Sequence, residues 1–448
     1  METSKKLNSN NTSPQTLKKE IGLPGAIALV IGMVIGSGIF FKPSIVFNNA
    51  GSPMMGILAW VAGGIITMAS GLTIAEIAAA IPKTGGIFVY LKELYGEKWA
   101  FLFGWVQTVI YVPGAAAALA IVLATQATNF VPMSGLQQKL FAILMMFVIT
   151  VANVLSTKLA SKIQFVATIA KLIPIFVIIA LGLIKGTAHS FSMPVGAATA
   201  GAGFGAAMLG TLWAYDGWIG VSNIAGELKN PKKDIPKSII WGVTIIISVY
   251  VLFNLAVLNV VPIKSIISSN TVASDVATIL FGKSGSIFIT VGILISIFGA
   301  LNGYIMTGVR IPFAMAQDKL LPFDKFLGKV DEKYQTPLNA FVFEFILSSL
   351  YVFSGSFDTL TDLVIFVLWI FFTMAVAGVF ILRIKHKDIE RPYKVPFYPV
   401  VPLVGILGGI YILVSTLITD TSKALIGLAI TLIGLPVYWY ITKKKQNN

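Results

Sequence analysis

Cysteine is absent from all 448 residues. No disulfide, thiolate metal site or cysteine nucleophile can be built, and no subunit can be held by a disulfide. Histidine is nearly absent too: His189 and His386 are the whole complement and fall in opposite loops. With so few ligands, no metal, no cofactor and no catalytic constellation is expected, and the chain does not read as an enzyme. Charge is also scarce, at 12% of residues, where soluble domains carry about 25%.

Apolar residues fill the space. They make up 56% of the chain, and the mean hydropathy is +0.85. Runs long enough to cross a bilayer recur throughout. Twelve are counted, at 22–47, 55–80, 98–125, 139–156, 163–184, 203–225, 237–261, 286–312, 337–354, 359–382, 398–418 and 424–442. The lipid bilayer is therefore an expected partner. Residues 1–20 are polar, lack a cleavable signal pattern and are expected to be a disordered cytoplasmic tail.

The net charge of +14 does not call for nucleic acid. Threading twelve spans with the N-terminus inside puts 26 Lys and Arg on one side and 6 on the other, with Lys171 inside a span. That is the positive-inside asymmetry. It predicts a multi-pass cell-membrane protein with both termini cytoplasmic.

Two spans carry breaks. "VIGMVIGSGIFFKPSIV" (30–46) places Gly36-Ser37-Gly38 in the middle of an apolar run, where helix propensity is poorest. "LGTLWAYDGWIG" (209–220) places the turn dipeptide Asp216-Gly217 mid-span. Irregular backbone at membrane depth is tolerated where it lines a cavity or is buried in protein. The half-helix ending at a break offers carbonyls to a cation, and the one beginning there offers amides to an anion. Paired interruptions at matching places suggest inverted repeats. The expected division is 1–20 tail, 21–184 first repeat, 203–382 second repeat, and 383–448 for the last two spans and a short tail. "GAGFGA" (201–206) has no preceding strand, so it reads as a small-residue helix start rather than a phosphate loop.

"IGSGIF" followed by Pro43, "AEIAAAIPKTGG" (75–86), "WAYDGW" (213–218), "GELKNPKKDIPKS" (226–238) and "LNGYIMTGVRIPFAMAQDKLLP" (301–322) together resemble the amino acid–polyamine–organocation superfamily. They look most like its L-type amino acid transporter branch, and like bacterial serine/threonine and alanine/serine exchangers within it. The resemblance implies an all-α membrane protein of 12 transmembrane helices with a LeuT-like 5+5 inverted repeat and broken helices 1 and 6. It implies sodium-independent exchange of small neutral L-amino acids by alternating access. The absence of cysteine removes the disulfide-linked heavy subunit that some members of such a branch would need.

The resemblance also implies roles. The substrate carboxylate would meet the Ser37 hydroxyl and the Ser37 and Gly38 amides. The ammonium would meet carbonyls at Val34, Trp213 and Asp216, within a binding stretch that also includes Ile35, Gly36, Ala214 and Tyr215. At Gly36 and Gly38 a Cβ would fill the gap left for substrate, and chain flexibility is the alternative reading of Gly36. Trp213 is either a gate over the substrate or a membrane-interface tryptophan. Tyr111 is a pocket aromatic or a packing residue.

Lys171 stands about 12 Å along the fifth span, where a cation is costly. In sodium-independent relatives a lysine here takes the place of a sodium ion between spans 1, 5 and 8. It would bridge the first break to Ser296, with Tyr250 a second partner. The competing reading is snorkelling. Asp216 departs from the glycine common in eukaryotic relatives, and either braces the unwound segment or titrates. Glu76 reads as an interface residue. The basic loop 229–237 reads as a topology signal that the family also places at a cytoplasmic gate. A proton-coupled symporter, a permease for cationic amino acids or polyamines, and a nutrient sensor are the competing functions.

Overall fold

The computed structural model describes residues 19–192, 203–269, 271–354 and 357–446. Residues 1–18 of the expected tail, and the first two residues of 201–206, lie outside that set.

The first expected span is two helices, α1 (Leu23–Val34) and α2 (Gly38–Ala50), bent 43° from each other across Ile35–Ser37. α3 (Pro53–Ala80) starts at a proline whose missing N–H costs nothing in the first turn, and the Ser52 side chain accepts from the Met55 amide at 3.2 Å. The short α4 (Ile87–Tyr95) precedes a third span made of α5 (Glu97–Val106), a π-helical turn at Gln107–Tyr111 and α6 (Val112–Ala127). α7 (Gly135–Leu155) opens on a capping box between Ser134 and Gln137. Ser156 then ends it and caps α8 (Thr157–Lys185), so the two helices turn on one residue.

The second half carries a break of its own. α9 (Phe204–Tyr215) stops at Asp216, and only the short α10 (Gly220–Asn223) resumes beyond it. Gly217 has φ of +103°, a conformation that L side chains rarely adopt, and it makes this break sharp. α11 (Pro231–Val260) and the small α12 (Ile263–Ser268) follow. α13 (Val272–Gly308) is kinked at Gly282 and leads into α14 (Arg310–Gln317). α15 (Asp324–Leu327) is a single turn. α16 (Leu338–Ser354), α17 (Phe357–Lys385), α18 (Val400–Thr419) and α19 (Thr421–Gln446) complete the chain.

Among the described residues, nine helices are long and apolar enough to cross a membrane, and the bent α1–α2 pair is a tenth. The remaining two of the twelve expected spans are α9–α10, cut short by its break, and the 17-residue α16. The fold class is the expected one. α1 lies at the centre, against α8, α11 and α13, and α2 crosses α9. Leu350, Ile418 and Ile433 are among many large apolar side chains left exposed on the outer helices, the surface that hydrocarbon would cover.

Two expectations change at the N-terminal face. The stretch 231–237 is not a loop but the first two turns of α11, because Pro231 suits the first helical position. Glu76 is not an interface residue. It is fully buried and accepts from Arg383 Nε at 2.9 Å, Arg383 Nη2 at 2.7 Å and the Val395 amide at 2.7 Å. Nearby, the Glu20 and Ile21 amides donate to the Glu227 carbonyl at 3.0 and 3.1 Å, and the Lys229 amide donates to Ile21 at 2.8 Å. Beneath this short parallel bridge, Arg310 holds both Glu227 carboxylate oxygens, at 2.7 and 2.9 Å, with both side chains about 1% exposed.

Candidate functional site

The first break is held by three side chains that address its main chain. Lys171, wholly buried on α8, donates to the Gly32 carbonyl at 2.6 Å and to the Ile35 carbonyl, and lies 3.5 Å from the Ser296 carbonyl. The Ser296 hydroxyl reaches the Ile35 and Gly36 carbonyls at 3.0 and 3.1 Å. One ammonium and one hydroxyl therefore take up carbonyls that the interrupted helix cannot satisfy itself. With its Nζ turned onto span 1 rather than toward a membrane face, Lys171 does not snorkel in this structure.

Tyr250, expected as a second partner of Lys171, holds the same break through other atoms. Its hydroxyl is 2.9 Å from the Val34 carbonyl and 2.8 Å from the Ala214 carbonyl. It joins the ends of α1 and α9. The Val34 oxygen also accepts the Gly36 amide at 2.8 Å, and the Trp213 oxygen accepts the Asp216 amide at 3.2 Å. Two of the three carbonyls assigned to an ammonium thus already have partners. Trp213 itself is buried in the last turn of α9. Tyr215, beside it, donates to the Trp60 carbonyl at 3.0 Å.

The glycines serve a closer purpose than expected. A Cβ on Gly38 would stand 2.5 Å from Ala214 Cα, and one on Gly36 would stand 3.0 Å from Ala300 Cβ. The space is occupied by neighbouring helices, so Gly38 lets the two broken spans touch backbone to backbone. Ser37 sits at the crossing, about 1% exposed, and its hydroxyl has no hydrogen-bond partner among the described residues. A buried polar atom left so is rare, and here it opens the helix whose N-terminal amides are free of intrahelical acceptors.

At the second break, Asp216 is braced. Tyr111 and Tyr304 both donate to its Oδ2, at 2.5 and 2.7 Å. Tyr111 gets there from the π turn, which widens the helix by one residue. A cavity opens beside this cage, lined by Met33 from the first break, Gly217, Gly220 and Asn223 from the second, and Gln107, Tyr111, Tyr304 and Thr307. It lies toward the end of the bundle that holds Glu227 and Arg310. Tyr304, Gln107 and Asn223 were not singled out in the sequence. Tyr304 lies within the quoted "LNGYIMTGV", and a hydroxyl at mid-span was its only signal.

Broken central helices, a braced carboxylate and an apolar many-span bundle describe a membrane permease. A family model for amino acid permeases matches residues 21–436, and the chain belongs to that family. It is 43% identical over 438 residues to the serine/threonine exchanger SteT of Bacillus subtilis (strain 168), covering 98% of this chain and 100% of that one. It is 32% identical over 442 residues to the large neutral amino acids transporter small subunit 2 of Homo sapiens, covering 94% and 80%. A cystine/glutamate transporter of Homo sapiens is 30% identical over 431 residues, covering 94% and 85%.

Proposed function

We propose that this permease is a sodium-independent exchanger of small neutral L-amino acids, of the serine, threonine and alanine class, working by alternating access. The observation that carries the exchange mode is Lys171. Its ammonium lies between α1, α8 and α13, on the carbonyls of Gly32 and Ile35 and near that of Ser296. A charge fixed by the chain needs no ion gradient to close the site, so the outward movement of one amino acid drives the inward movement of another.

The unpartnered Ser37 hydroxyl and the amides that open α2 suit a carboxylate, which helix N-termini attract. The main-chain oxygens around Trp213 to Asp216 suit the ammonium once the two spans part. Trp213 closes the outer path and the Glu227–Arg310 pair closes the inner one. The segments 21–184 and 203–382 act as the moving halves, with 383–448 outside them. The charge asymmetry supports a cell-membrane location with both termini cytoplasmic. The small-side-chain preference rests on the likeness to the serine/threonine exchanger.

The test is reconstitution of the pure protein in liposomes, with labelled serine outside. Uptake is expected to need an amino acid inside and to be unchanged when sodium is replaced. Uptake that rises steeply with external sodium overturns the Lys171 reading. Better competition by leucine or arginine than by alanine overturns the substrate class.

A further inference from the structure

α16 carries an acid that the exchange mechanism does not use. Glu344 stands in the apolar run "FVFEFILSSLY", is 4% exposed, and neither carboxylate oxygen has a hydrogen-bond partner among the described residues. It faces a small cavity between α6, α7, α13 and α16. That cavity is lined by Val112, Met146, Ile305 and Phe341, with only the hydroxyl-bearing Thr150 and Ser348 to set against them.

The charged and titratable groups on the packed elements are occupied elsewhere. Arg310 on α14 lies over the Phe341 ring, 5.3 Å from its centroid, and is spent on both carboxylate oxygens of Glu227. Tyr351, two turns along α16, feels the charge of Glu344 but donates its proton to the Val109 carbonyl at 2.8 Å. Lys139 on α7 sits over Phe353, at the opposite end of α16 from Phe341. On α15, Asp324 and Lys325 flank the start of α16. On α13, Tyr304, next to Ile305 of the cavity wall, donates to Asp216 at 2.7 Å, and α6 carries no ionisable side chain.

A bare carboxylate in such surroundings is costly, and acids at membrane depth usually have a task. A metal ion needs several oxygen ligands, and two hydroxyls beside a carboxylate among apolar groups make a poor set. A proton needs none. We propose that Glu344 is a proton-binding site of this transporter, distinct from the amino-acid site. Its carboxylate takes one proton from water to become the neutral acid in the state described here, and returns that proton to water when the cavity between α6, α7, α13 and α16 opens.

The position ties this event to the substrate region. Val112 in the cavity wall follows Tyr111, which holds Asp216. Tyr351, on the same helix as Glu344, holds the Val109 carbonyl of the π turn that presents Tyr111. A charge appearing on Glu344 therefore disturbs the packing against which Tyr111 is set. The expected sign is that exchange slows as pH rises through the titration of Glu344, because the ionised form does not suit this packed state.

The test has two readouts on purified, monodisperse protein. Infrared spectra of the wild type should contain a carbonyl band of a protonated, poorly hydrated carboxylic acid that disappears in Glu344→Gln and moves in Glu344→Asp. In liposomes at equal internal and external pH, Glu344→Gln should keep exchange at neutral pH and lose at least half of the wild type's decline on the alkaline side. An unchanged band in Glu344→Gln overturns the proposal. So does a metal-ion-dependent rise in wild-type thermal stability that Glu344→Gln abolishes, since the ligand would then be a metal. The infrared readout needs no transport, so its failure is separable from any failure of the exchange reading.

Discussion

The Lys171 ammonium stands 2.6 Å from the carbonyl of Gly32, and the same nitrogen reaches the Ile35 carbonyl one turn on. A side chain from α8 is thereby fastened to both sides of the last turn before the first break. Truncation to Lys171→Ala leaves the buried Gly32 carbonyl short of a donor, a loss of about 1–3 kcal/mol, while the Ile35 carbonyl keeps the Ser296 hydroxyl. The variant should fold and bind serine more weakly, and its exchange should fall by about tenfold, since 1.4 kcal/mol is a factor of ten. Lys171→Arg should not restore the rate, because a planar guanidinium does not fit where a compact ammonium does. Equilibrium binding and exchange rate, measured side by side, check this; wild-type exchange in Lys171→Ala would mean that the ammonium is dispensable.

Gly38→Val should abolish binding, for a reason the crossing of the two spans supplies. Any Cβ at this position meets the Ala214 backbone, 2.5 Å away, and even Gly38→Ala should separate α2 from α9 and weaken binding by an order of magnitude or more. Isothermal calorimetry with serine reads the loss. Normal affinity in Gly38→Ala would show that the contact is not held in the ligand-bound form.

Asp216 should tolerate the loss of either tyrosine better than the loss of both. Tyr111→Phe and Tyr304→Phe each remove one donor to the same oxygen, while the double variant strands a buried carboxylate, which should cost more than the two single losses added. The double-mutant cycle on exchange rate measures the excess. Strict additivity would mean that the two hydroxyls act independently.

The Glu227–Arg310 pair makes a stability prediction. Removing one partner strands the other charge at about 1% exposure, a penalty of about 3–5 kcal/mol. Arg310→Met and Glu227→Gln should each lower the thermal unfolding temperature in detergent. The combined variant should recover part of the loss, because no lone charge remains. A combined loss equal to the sum of the two would show that the ions do not depend on each other.

Legibility in the sequence followed chemistry that is local. The breaks could be read because Gly36-Ser37-Gly38 and Asp216-Gly217 are poor helix formers inside apolar runs. Lys171 could be read because a charge at membrane depth is conspicuous. Glu344 carries the same signal, a charge inside an apolar run. What could not be read is pairing across the bundle. Nothing in the sequence around Tyr250 says that its hydroxyl meets Val34 and Ala214 rather than Lys171. Nothing near Glu76 announces Arg383 or Val395, which lie more than three hundred residues away. Helix ends were also hidden where proline begins a helix, as at Pro231, since the residue signals loop and helix start alike.

Lys171, Ser296 and Tyr250 all make their contacts to carbonyl oxygens of the chain around the breaks. A carbonyl oxygen is the same whatever side chain sits on its residue. Val34, Ile35 and Ala214 can therefore drift among apolar types of similar size over evolutionary time without loss of these fastenings, while the three residues that grip them cannot. Divergence in selectivity between permeases built this way can accumulate in the cavity walls, with the recognition of the shared amino-acid backbone inherited unaltered.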